Sequence, residues 1–178
     1  IKIKGSEKIK SFKDYQSLTQ KILNKGVDRN STIIAIGGGT IGDLSGFAAS
    51  TILRGVKLVL FPTTLLAQVD SSIGGKNGIN TLNGKNLLGT FYQPSEVFVD
   101  PKIIKTLSNR EIKSGYAEII KHALIKDYKF FLWLDKNYKK IINLEKNALV
   151  FSIYKSILIK SKFVLSDTKE ILANNKSR

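Results

Sequence analysis

The sequence predicts an α/β chain, with a parallel sheet and its helices over residues 1–104 and the start of an all-α domain over residues 105–178. Three observations predict it. Two short, apolar and β-branched runs, Ser31 to Ile36 and Val56 to Phe61, flank a stretch with helical spacing, Ile41 to Leu53. A glycine cluster, Gly37-Gly38-Gly39-Thr40-Ile41-Gly42-Asp43, joins the first run to that helix. From Ser108 onward strand-like runs stop and long amphipathic segments take over.

The first run, Ser-Thr-Ile-Ile-Ala-Ile, is continuously apolar after its first residues and suits a strand buried on both faces. The second reads the same way and is closed by Pro62, which cannot donate to a sheet ladder. Strand, helix and strand within about 30 residues form a crossover unit, so parallel pairing is expected. Val97 to Val99 is a third, shorter strand candidate, ended by Asp100-Pro101. Beyond the boundary, residues 109–126, 127–141 and 143–166 carry apolar residues at helical spacing. Phe130, Phe131, Trp133 and the Ile/Leu stripe from Ile153 to Leu165 read as core of that part.

Composition narrows the function classes. The formal charge is +15, from 29 Lys and Arg against 14 Asp and Glu. The lysines are spread over the whole length, with no Arg-rich block and no interleaved aromatic platform, so a nucleic-acid surface is not expected. A positive field also serves an anionic small-molecule substrate. No run of about 18 apolar residues occurs, so no membrane span is expected. Cysteine is absent, which rules out disulfides and thiolate metal sites and permits a reducing cytoplasm. Methionine is absent too, at position 1 as elsewhere, which points to residues missing upstream.

Gly37, Gly39 and Gly42 fall in the G-x-G-x-x-G register between a predicted strand and a predicted helix, the context that gives the pattern meaning. Without a Cβ the backbone can approach a pyrophosphate, and the positive end of the following helix favours the anion. A partial Rossmann-like nucleotide-binding domain is the reading. One departure stands out. Such folds ordinarily place an acid about 20 residues further on, after the next strand, to hold the ribose. Lys57 to Phe61 has none, and Asp43 directly follows the third glycine instead, so the cofactor is expected to be held differently. After the second strand comes a polar stretch read as one long loop, with Thr63, Thr64, Gln68, Asp70, Ser71, Ser72 and Lys76, and with Gly74-Gly75 just before the lysine. Gly84-Lys85-Asn86 repeats the small-residue, cation, amide order. Lysines after glycines suit phosphate or carboxylate, and loops beyond strand ends are where α/β enzymes bind ligands.

These residues carry a resemblance. Gly37 to Asp43, Arg54-Gly55, Pro62 to Ser72, Gly74-Gly75-Lys76, Gly84-Lys85-Asn86, Gln93-Pro94 and Ala117-Glu118-Ile119-Ile120-Lys121 are similar, in the same order, to the motifs of the 3-dehydroquinate synthase family. The resemblance implies a dehydroquinate synthase-like fold. It also implies a lyase that converts 3-deoxy-D-arabino-heptulosonate 7-phosphate to 3-dehydroquinate and phosphate in the shikimate pathway. Catalytic NAD+ and a divalent metal, Zn2+ or Co2+, are implied as cofactors. By the same resemblance Glu118 is a metal ligand. Glu7, Lys10, Gly38, Gly39, Thr40, Ile41, Gly42, Asp43, Thr63, Thr64, Lys76, Lys85, Ile103, Ile104, Lys105 and Thr106 match cofactor positions. Glu7 would supply the acid missing after the second strand. Arg54, Asp70, Lys76, Asn86, Lys121 and Lys160 match substrate positions, Asp167 matches a family aspartate, and Arg178 is set against the family's substrate arginine. A cytoplasmic homodimer is implied for the full-length protein.

His122 follows Lys121 but is not used by the family motif, and is read as a bystander. The family's two metal histidines belong to a Leu-Asn-x-Gly-His segment and beyond, past Arg178. This polypeptide alone is therefore expected to be inactive and to bind zinc weakly. The competing readings are another sugar-phosphate cyclase, such as a 2-deoxy-scyllo-inosose synthase, and a glycerol-dehydrogenase-like metal alcohol dehydrogenase. A basic nucleic-acid-binding module and a non-catalytic remnant are further alternatives.

Overall fold

The computed structural model describes residues 1–166, so Asp167 and Arg178 lie outside the described residues. The chain forms two compact units. One comprises Ile1–Thr63 and Gly75–Val99; the other comprises Thr64–Gly74 and the chain from Asp100 onward.

In the first unit a short 3-10 turn at Glu7–Ile9 leads into helix α1 (Phe12–Leu23). Ser11 caps it, its hydroxyl accepting the Asp14 N–H at 3.1 Å. Strand β1 (Thr32–Gly37), helix α2 (Gly39–Thr51) and strand β2 (Lys57–Pro62) then form the expected crossover unit. β1 and β2 pair in parallel from Thr32 opposite Lys57 to Gly37 opposite Pro62. The third candidate strand is shorter and one residue earlier than read, and as β5 (Glu96–Val97) it pairs in parallel with β2. Sheet order is β1-β2-β5.

Ala35, Leu58 and Leu60 meet Leu44, Phe47 and Ala48 of α2, Ile52 directly after it, and Leu18 and Ile22 of α1 in one buried cluster. The first strand is not buried on both faces as its apolar run suggested. Ile34 and Ile36 are 59% and 65% exposed. The alternation that buries Ala35 turns its neighbours to the other face, and α1 and α2 both pack on the Ala35 side.

The stretch after β2 is not one long loop. Lys76–Thr81 and Gly84–Phe91 form an antiparallel hairpin, β3 and β4. Gly, Asn and Lys are poor strand formers, so local composition hides it. Packing makes it. Ile79 is fully buried in the cluster with α2, and the Asn77 amide donates to the carbonyls of Gly75 at 2.8 Å and Tyr92 at 2.9 Å. Gly46 of α2 admits this amide: a Cβ there would lie 1.9 Å from Asn77 Oδ1.

The second unit holds α3 (Asn109–Lys126), α4 (Tyr128–Ile142) and α5 (Lys146–Ser166), matching the three amphipathic segments closely. Ser108 and Glu111 form a reciprocal capping box at the start of α3, and Asp127 caps α4 through the Phe130 N–H at 3.0 Å. Ile112, Tyr116 and Ile119, Phe130 and Leu134, and Leu149, Ile153 and Ile159 supply its interior. Not all of the expected core is buried. Phe131 and Trp133 are half-buried, and Leu165 is 81% exposed. Trp133 is covered on one side by Phe151, with ring centroids 4.5 Å apart. Thr64–Gly74 packs into this unit through Leu65 and Val69, both fully buried. Gly115 of α3 allows it, since a Cβ there would sit 2.6 Å from Leu65 Cβ. No described helix is long and apolar enough to cross a membrane.

Candidate active site

The glycine cluster folds as a strand-to-helix turn. β1 ends at Gly37, Gly38 is the N-cap of α2, and Gly39 begins the helix. The first internal bonds of α2 run from the N–H groups of Ile41 and Gly42 to the Gly38 carbonyl, at 3.0 and 3.1 Å. The N–H groups of Gly39 and Thr40 precede them, at the positive end of a helix of 13 residues. A Cβ at Gly42 would meet nothing within 4 Å, so this side of the turn is open. Such a turn suits a pyrophosphate. Thr63 is tied to it by its backbone, donating to the Gly37 carbonyl at 2.9 Å.

Around it the first unit gathers several of the residues singled out from sequence. Lys10 is 4% exposed and its ammonium donates to Asp43 Oδ2 at 2.5 Å and to Asn86 Oδ1. Glu7 accepts from the Asn80 amide at 2.8 Å. Lys76 opens β3, and Lys85 and Asn86 lie in β4. Arg54 is exposed on the corner after α2, where Leu53, Arg54 and Gly55 take φ of 52°, 67° and 125° in succession. Consecutive left-handed residues that carry side chains cost free energy and mark a constrained corner.

The second unit holds a different chemistry. Thr64 caps a helical turn, its hydroxyl accepting the Ala67 N–H at 3.2 Å, and Ala67–Ser71 continues as a π-helical turn carrying Asp70. π turns are rare and recur at functional sites. Lys160 of α5 reaches Asp70, Nζ to Oδ1 at 2.7 Å. On α3, Glu118 Oε1 accepts from Lys121 Nζ at 2.7 Å and lies 3.2 Å from His122 Nε2. His122 Nδ1 meets Ser156 Oγ of α5 at 2.7 Å. Ile103–Thr106 is a 3-10 turn with Ile104 fully buried and Ile103 38% exposed.

His122, read from sequence as a bystander, is packed against Glu118 and Ser156. It is 2% exposed, on the same face as Glu118 four residues earlier, a spacing that places the two side chains together on a helix. Burial pushes its pKa below the usual histidine value, outweighing the pull of Glu118 and Asp70 in the other direction. A neutral imidazole keeps a lone pair for a cation. One donor atom each from Asp70, Glu118 and His122 lie within 4.8 Å of one another. Two carboxylates and an imidazole suit a divalent metal such as zinc, for which three protein ligands are usual at catalytic sites. Sequence pointed to Glu118 alone. The Glu118-x-x-x-His122 spacing was the available signal, whereas Asp70 and Ser156 come from distant segments.

Residues 1–114 match the family model described as 3-dehydroquinate synthase N-terminal, and residues 115–176 match 3-dehydroquinate synthase C-terminal. The chain belongs to the 3-dehydroquinate synthase family. The 3-dehydroquinate synthase of Pelagibacter ubique (strain HTCC1062) is 54% identical over 167 residues, covering 94% of this chain and 45% of that protein. The chain thus spans about half the length of the curated 3-dehydroquinate synthases it matches. Among solved structures, 2-epi-5-epi-valiolone synthase from Streptomyces hygroscopicus subsp. jinggangensis 5008, with NAD+ and Zn2+ bound, superposes with a TM-score of 0.91 at 30% identity, over 95% of this chain and 48% of that one. A 2-deoxy-scyllo-inosose synthase complexed with carbaglucose-6-phosphate, NAD+ and Co2+ gives 0.67 at 35% identity, over 70% of this chain and 34% of that one. As a member of the 3-dehydroquinate synthase family, the chain has the α/β sheet with helices expected of it.

Proposed function

We propose that the full-length protein is a 3-dehydroquinate synthase, releasing phosphate from 3-deoxy-D-arabino-heptulosonate 7-phosphate with NAD+ and a divalent metal. The observation that carries this reading is the cluster of Asp70, Glu118 and His122, with Lys160 and Lys121 bonded to its carboxylates. Relatives of that name at 54% and 48% identity favour it over the other cyclases, at 30% and 35%.

In this reading the turn from Gly38 to Asp43 takes the NAD+ pyrophosphate. Thr63, Thr64, Lys76, Lys85 and the Ile103–Thr106 turn contribute further cofactor contacts, with Glu7 and Lys10 at the adenosine end. Glu118, with Asp70 and His122 beside it, would hold Zn2+ or Co2+. When bound, NAD+ supplies reversible oxidation at a ring carbon, and the metal polarises the hydroxyl there. The protein's own share is positioning and charge. Arg54, Lys76, Lys121 and Lys160 are cations for a substrate that bears a phosphate and a carboxylate. Ammonium groups held in place lower the barrier to phosphate departure, because the charge that develops on the leaving group finds its counter-charge already there. Asn86 adds a neutral hydrogen-bonding group. The proposal extends to a cytoplasmic homodimer acting on a small molecule, with neither nucleic acid nor membrane as partner.

The test is a steady-state assay of the full-length protein. Phosphate and 3-dehydroquinate should form without net NADH, and metal removal should stop turnover. Lys76→Ala should sharply reduce it. Stoichiometric NADH would indicate an alcohol dehydrogenase, and product formation from glucose 6-phosphate alone would indicate a different cyclase.

A further inference from the structure

The buried ammonium of Lys10 fixes the chemistry that Asn86 can offer. An ammonium only donates hydrogen bonds, so the Asn86 atom facing it must be the amide oxygen. The same logic orients the neighbouring amide. Asn80 Nδ2 donates to the Glu7 carboxylate at 2.8 Å, and Asn80 Oδ1 accepts the Asn86 N–H at 2.9 Å. The Asn80 N–H in turn donates to the Lys10 carbonyl at 2.7 Å, closing the network on itself. Asn86 sits at φ 56°, a left-handed conformation that asparagine tolerates better than most residues. Asp43 balances the Lys10 charge from the first turns of α2, at 2.5 Å.

We propose that Lys10 is a positioning residue: it clamps the Asn86 amide oxygen so that Asn86 presents only its NH2 group, a pure donor, to an oxyanion or hydroxyl oxygen of the substrate. This rests on the substrate role given to Asn86 above. It also gives Lys10 a task beyond any contact with the cofactor. The ammonium already donates to two side chains and is almost wholly buried.

The test uses the full-length enzyme. Asn86→Asp keeps a partner for Lys10 but replaces the outward donor by an acceptor. It should raise the KM for the sugar-acid phosphate about tenfold or more, the scale of one lost hydrogen bond made worse by repulsion, with little change in KM for NAD+. Lys10→Met should raise the same KM, and Asn86→Ala should add little in that background. Lys10→Arg, which retains donors, should restore most of the affinity. A wild-type substrate KM in Asn86→Asp, or additive effects of Lys10→Met and Asn86→Ala, would overturn the proposal. Unfolding of the same pair of variants gives a second cycle that needs no turnover, and additivity there would also overturn it. Absence of turnover in the wild type would sink the functional reading alone, because the unfolding cycle would still decide the Lys10 clamp. Should Lys10→Met fail to fold, Asn86→Asp and Lys10→Arg decide the point.

Discussion

His122 Nε2 stands 3.2 Å from Glu118 Oε1, while its Nδ1 meets the buried hydroxyl of Ser156 at 2.7 Å. A hydroxyl can donate or accept, so this arrangement accommodates either tautomer. With Nε2–H directed at Glu118, Ser156 donates to Nδ1. With Nδ1–H donated to Ser156, the Nε2 lone pair is free for a cation. Ser156→Ala removes the acceptor that the second state needs. With His122 in the proposed metal site, it is expected to weaken zinc binding by the full-length protein about tenfold, the usual scale for losing a partner behind a metal ligand. Glu118→Gln is expected to abolish measurable binding. Calorimetric zinc titration checks both, and an unchanged affinity in Ser156→Ala would show that the serine does not orient the ring.

Lys160 and Asp70 form an ion pair that is partly open to solvent, at 20% and 30% side-chain exposure. Pairs of that kind stabilise by about 1 kcal/mol or less. Lys160→Met is therefore expected to leave the urea midpoint almost unchanged while lowering turnover of the full-length enzyme at least tenfold. Equal small effects on both would reduce the pair to a surface contact.

Gly46→Ala is expected to destabilise the first unit by about 2 kcal/mol. The added methyl would occupy the space of the Asn77 amide, which must then give up hydrogen bonds to Gly75 and Tyr92. Chemical unfolding measures it. A loss of only a few tenths would mean that the hairpin moves away from α2 at little cost.

Asp127 caps α4, and the Phe130 N–H, aided by Lys155, holds its carboxyl below the ordinary aspartate value. The folded pKa lies below the unfolded one. The stabilisation is thus present above the unfolded value and is lost as pH falls through the folded value. Asp127→Asn keeps a capping oxygen without the titration. The stability advantage of the wild type over Asp127→Asn is expected to shrink as pH is lowered from about 5 to about 3, the range in which an aspartate protonates. A constant difference across that range would show that the carboxylate charge contributes nothing.

The sequence by itself determined the crossover unit, the glycine turn and the three helices of the second unit. Each is written in local periodicity: the apolar runs of β1 and β2, the glycines between them, and stripes such as Ile112, Tyr116 and Ile119. Glu118 and Lys121 were legible because they share one helix and one motif. The hairpin β3–β4 was not, because Lys-Asn-Gly-Ile-Asn-Thr has little strand propensity of its own and is held by Ile79 and Asn77 against α2. Nor was the cluster of candidate metal donors. Asp70, His122 and Ser156 come from a π turn and two helices, and only the packing of Thr64–Gly74 and α5 on α3 brings them together. The clamp of Lys10 on Asn86 spans 76 residues of sequence. Spacing along a chain encodes what shares one element, whereas contacts between elements are set by the burial of their apolar faces, which no local pattern records.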